Sequence, residues 1–111
     1  MKNFRCLVPA NGFFEWYRGG IKKVLYFFSP KDGACIAMAG VYQPQQQSFA
    51  IITREANETV RPVHDRMPAV LEENGENKWL FGGELKAGEI SLERRLVDYL
   101  TFGFCSGFNK T

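Results

Sequence analysis

With 111 residues, 45% hydrophobic and 23% charged, the chain has the size and composition of one globular domain and is too apolar to be disordered. Its net charge of +2 neither demands nor excludes a nucleic-acid partner, because phosphate is bound by a local basic groove that a total charge does not report. Three cysteines without metal-type spacing, Cys6, Cys35 and Cys105, read as reduced thiols of a cytoplasmic protein; Pro9, Asn11 and Gly12 interrupt any secretory leader, and no apolar stretch nears the ~20 residues of a membrane span.

In chain order, Phe4 to Val8 predicts a strand, Pro9 to Gly12 a turn whose Asn-Gly supplies positive φ, and Phe13 to Tyr17 a second strand, together a hairpin signal. Val24 to Phe28 is a solid apolar run that wants burial on both faces, and Ser29 to Gly33 is a turn cluster. Cys35 to Tyr42 is a small-residue strand with Gly40 where a neighbour approaches closely, and Gln43 to Gln47 is a polar loop. Phe49 to Thr53 is a fifth strand, Arg54 to Arg61 a loop or short helix, and Ala69 to Leu71 a last short strand. Glu72 to Lys78 is turn-like. Leu92, Leu96, Val97 and Leu100 recur near helical spacing behind a possible Ser91 N-cap and predict a helix, while Phe102 to Thr111 has no period. The expected architecture is a single α+β domain over residues 1–111, rich in strands, with a bent or partly closed mixed sheet and a few short helices.

The chemistry is bounded first by absences: no phosphate loop, dinucleotide fingerprint, zincin motif or CxxC pair occurs, and one histidine cannot build a multi-histidine metal site. No metal or cofactor is expected. Glu15 lies between Phe14 and Trp16, so by alternation it shares a face with Phe13 and Tyr17; a carboxyl on such a face tends to hold its proton and suits acid–base work. The ordinary alternative is a salt bridge to Arg5 or Arg18. His64, the sole histidine, stands in VHDRMP, where imidazole can shuttle a proton and Arg66 can hold a phosphate. Its ordinary alternative is a structural loop cap. A Cys6–His64 nucleophile–base pair is weaker, since a cysteine in an apolar strand is usually a small buried residue.

RCLVPANGFFEW, AMAGVY, FAIITREAN and VHDRMPAVL, in that order and spacing, resemble the SOS response-associated peptidase (SRAP) family over about Arg5 to Leu71, with residues 72–111 divergent. The resemblance implies an SRAP-like fold and a DNA-damage protein that binds single-stranded DNA, cross-links covalently to abasic sites through an N-terminal cysteine, and removes its initiator methionine by autoproteolysis. It implies Glu15 and His64 as the assisting catalytic groups and Arg66 and Thr53 at the DNA; a single strand also needs exposed aromatics for stacking, for which Trp16 or Tyr17 is available. Family members begin Met-Cys-Gly-Arg, whereas this sequence begins Met1-Lys2-Asn3, so an incomplete or inactive form is expected. The alternative from another class is a non-catalytic interaction module that keeps the SRAP core.

Overall fold

The structure is a computed structural model describing residues 4–17, 19–72, 75–85, 87–88 and 90–97. Its strands are β1 (Phe4–Ala10), β2 (Phe13–Tyr17), β3 (Val24–Pro30), β4 (Ile36–Gln43), β5 (Ser48–Ile51), β6 (Thr53–Glu55), β7 (Arg66–Pro68) and β8 (Leu92–Leu96), with one helix, α1 (Gly75–Leu80), and a 3-10 turn at Pro44–Gln46. They form two three-stranded sheets, β1-β4-β5 and β2-β3-β8, and a two-stranded ribbon, β6-β7. The strand-rich α+β expectation therefore holds, but no sheet among the described residues is closed, which corrects the partly closed sheet; the pairings between these named strands are antiparallel.

The reason lies at Asn11-Gly12. The two strands that flank it do not pair; β1 pairs with β4 and β2 with β3, so this corner carries the chain from one sheet to the other instead of folding a hairpin. Gly12 is not among the positive-φ residues, and its role is proximity: a Cβ there would collide with the Phe28 carbonyl oxygen and stand 2.6 Å from the Phe27 ring.

The two sheets pack around one apolar cluster. Phe13 and Phe28 from the β2-β3-β8 sheet, with ring centroids 5.4 Å apart, meet Ile36 and Met38 of β4, and Val60, Val63 and Met67 close the cluster from the side. The opposite face of β4 presents Ala39 to a second cluster with Ala69, Leu71 and Trp79 of α1. A layered order results, with one sheet between the other sheet and the helix.

Gly40 is the close-approach point expected of it: an added Cβ would lie 3.0 Å from Cys6 Sγ and 3.2 Å from Val8 Cγ2. Its carbonyl, with that of Cys6, accepts the Trp79 indole N–H at 3.2 and 3.0 Å, so the indole is anchored across β1 and β4. That anchor explains why the turn-like stretch before Trp79 contains a short helix. One large buried side chain holds it, and one apolar residue leaves no periodic signal.

Three other expectations shift. The Phe49 to Thr53 strand breaks at Ile52, whose N–H turns to the Ala39 carbonyl at 2.9 Å while its own carbonyl accepts from Ala69 at 2.8 Å, freeing Thr53 to begin β6. The strand expected at Ala69 to Leu71 sits earlier, at Arg66–Pro68, and Val70 and Leu71 make only isolated bridges. The helix expected from Ser91 is instead the edge strand β8 over Leu92–Leu96, paired with β3. A four-residue spacing also divides by two, so Leu92 and Leu96 share a strand face as readily as a helix stripe. Asp98 to Leu100, the remainder of that expected helix, and Phe102 to Thr111 lie outside the described residues, as do Arg18 and Cys105.

Candidate functional site

The site is built from β2, which carries Glu15, and from the ribbon β6-β7, whose connection carries His64. Alternation along β2 sends Phe13 into the core and Phe14 to solvent, and Glu15 follows Phe13, emerging at the rim of the core with its side chain 20% exposed. His64 is placed by its neighbours. Val60 and Val63 are buried before it and Met67 after it, and the His64 N–H donates to the Val60 carbonyl at 2.9 Å. Asn57 fixes the start of this turn, its side-chain oxygen accepting the N–H groups of Thr59 and Val60 at 3.1 and 3.0 Å, while Ala56 N–H donates to the Asp65 carbonyl and closes the loop. Two buried valines and a buried methionine thus leave the imidazole pointing at the core rim.

There it meets Glu15. His64 Nδ1 and Glu15 Oε1 are 4.0 Å apart, too long for a direct hydrogen bond and short enough for strong coupling once the ring is charged. The same Nδ1 lies 3.2 Å from both the backbone N and the carbonyl oxygen of Arg66. With its proton on Nε2 the ring accepts the Arg66 N–H; with a proton on Nδ1 it donates to the Arg66 carbonyl. Either state is satisfied in place, which is what a proton-transferring imidazole requires. Asp65 Oδ1 stands 3.5 Å from Nδ1, but with 91% of its side chain exposed it is a screened partner that orients little.

Arg66 and Thr53 are brought together. The guanidinium Nη2 donates to the Thr53 carbonyl at 3.0 Å and to its hydroxyl at 3.2 Å, holding Arg66 exposed beside the site with the rest of its fork facing solvent. Trp16 is one residue from Glu15 on a regular strand, so it faces the other side of β2. Arg5, the alternative partner for Glu15, is engaged elsewhere: it donates to the carbonyls of Trp79 and Gly83 at 3.1 and 2.7 Å, with its guanidinium 4.1 Å from the Trp79 ring centroid. Cys6 is half-buried on the edge strand β1, where it pairs with Gly40 of β4.

A separate open depression of about 800 Å³ is lined by Lys31, Asp32, Cys35, Glu72, Glu76 and others, and contains neither Glu15 nor His64. Among the described residues no group of three His, Cys, Asp or Glu side chains is placed to hold a metal ion, and no helix is long and apolar enough to cross a membrane. Tyr26 and Arg94, absent from the sequence-based set, also stand on the Glu15 face; the β2-β3 register places Tyr26 there, and β8 had to be recognised as a strand before Arg94 could be.

Known proteins resemble this chain in sequence and fold. An abasic site processing protein of Bacillus subtilis (strain 168), YoaM, is 38% identical over 84 residues, covering 68% of this chain and 37% of the relative. The abasic site processing protein HMCES of Gallus gallus is 29% identical over an alignment covering 97% of this chain and 40% of that protein. A solved structure of a Bacteroides thetaiotaomicron protein superimposes with a TM-score of 0.69 at 28% identity, covering 87% of this chain and 51% of the other. The chain thus spans well under half the length of these curated relatives. The family profile described as SOS response associated peptidase (SRAP) matches residues 1–99, and the chain belongs to that family.

Proposed function

We propose that this chain binds single-stranded DNA at abasic sites and that Glu15 and His64 act on the sugar there as one acid–base unit. The observation that carries the reading is their convergence at 4.0 Å from two separately built elements, with the imidazole held by Arg66 in either protonation state. Relatives named as abasic site processing proteins support the substrate class. The ring-opened abasic sugar presents an aldehyde; condensing it with an amine expels water and closing a ring with a thiol moves a further proton, steps that a carboxylate and an imidazole serve. Arg66, fixed by Thr53, faces the DNA backbone, and the protein works in the cytoplasm.

Binding comes before any covalent step, so the expected result with an abasic single strand is a retarded complex, weakened by Glu15→Ala or His64→Ala. No retardation of any single strand would remove the DNA-binding reading.

One observation favours a second reading, an interaction module. Phe4, Tyr42 and Phe49 pair directly across β1, β4 and β5 and form a row of exposed aromatic rings on one sheet face. That reading predicts that Glu15→Ala and His64→Ala leave every activity unchanged.

A further inference from the structure

We infer that Arg94 is a second contact for the DNA backbone, on the sheet face that carries Glu15; the inference rests on the DNA-binding reading above. Glu15 pairs with Tyr26 on β3, and Tyr26 pairs with Leu96 on β8, so the three side chains form one row on one face of the sheet. Arg94 lies two residues from Leu96 along β8 and returns to that face. Its guanidinium carbon sits 5.1 Å from the Tyr26 ring centroid, so its head leans toward the Glu15 row.

The backbone beneath it is firm. Arg94 pairs with Phe28, which is fully buried and stacked on Phe13, while Arg94 itself is exposed. The ring contact restricts the guanidinium without consuming its five N–H donors, which leaves it able to grip a phosphate. Arg5, by contrast, commits its Nη1 to two backbone carbonyls and lays its guanidinium on the Trp79 ring.

Two guanidinium groups therefore stand near the acid–base pair. Arg66 stands beside His64 on the ribbon, and Arg94 stands two strands from Glu15. Two strand spacings are ~10 Å, roughly three nucleotides at a stacked rise of ~3.4 Å. A single strand with its sugar at Glu15 and His64 would therefore bring a phosphate to Arg94 about three nucleotides away. The ligand chemistry is a phosphodiester, recognised by charge and not by base.

Arg95 is the internal control. It is the next residue on the same strand, carries the same charge and pairs with Phe27, on the face opposite Arg94. The test is equilibrium binding of the full chain to an abasic single-stranded oligonucleotide over a series of salt concentrations. Arg94→Ala and Arg94→Gln should each weaken binding about tenfold at low salt and reduce the slope of log affinity against log salt by about 0.7, one phosphate contact on a single strand. Arg94→Lys should keep the slope, and Arg95→Ala should leave affinity and slope close to the parent's. Far-ultraviolet circular dichroism of the Arg94→Gln protein should match the parent. Equal losses at Arg94 and Arg95, or a parent-like slope in Arg94→Gln, would overturn the assignment while leaving the DNA-binding reading intact. No binding by the parent chain overturns both.

Discussion

The two halves of RCLVPANGFFEW occupy different worlds. The β1 half, Arg5 and Cys6, faces α1: Arg5 is spent on two carbonyls and the Trp79 ring, and the Cys6 carbonyl receives the indole N–H. The β2 half, after the Gly12 corner, carries Glu15 to the rim where His64 arrives from another element. One half commits its polar groups to the packing of α1, and the other brings a carboxyl to within 4.0 Å of the imidazole. A contiguous motif can thus hold scaffold and site side by side, distinguished by where the hydrogen bonds go.

The contrast predicts opposite responses to substitution. The largest loss of stability is expected at the scaffold end: Trp79→Ala removes the main side chain anchoring α1 and should cost about 3–5 kcal/mol in chemical denaturation. Arg5→Met should cost about 2 kcal/mol, because it strips a charged donor from the Trp79 and Gly83 carbonyls. Gly12→Ala should cost about 1–3 kcal/mol, since the new methyl must displace the β3 backbone at Phe28. At the site end, Glu15→Gln and His64→Gln should each stay within about 1 kcal/mol of the parent, both side chains being partly exposed and outside the apolar clusters. Asp65→Asn should change stability least, its carboxylate being almost fully in water. A destabilised Glu15→Gln protein with an unaffected Arg5→Met protein would reverse the assignment of the two halves.

Much of the site was legible before any coordinates, because it depended on short-range geometry. Strand alternation put Glu15 with Phe13, and the buried residues around His64 fix its direction locally. Arg66 beside Thr53 follows from β6 pairing with β7, which the broken strand at Ile52 makes possible. What was hidden depended on distant partners. The hairpin signal at Asn11-Gly12 failed because β3 and β4 compete for the two strands, and sequence does not rank those pairings. Leu92 to Leu96 read as a helix because its spacing fits both periods; the free edge of β3 decides for the strand. That misreading also hid Arg94, which only the register of β8 brings to the Glu15 face.

The measurement that bears most directly on the central claim is the preference for an abasic over an intact single strand in the parent, Glu15→Gln, His64→Gln and the double variant. If the pair is one unit, each single substitution removes most of the preference and the double variant loses little more. A double variant that still prefers the abasic strand as strongly as the parent would contradict it.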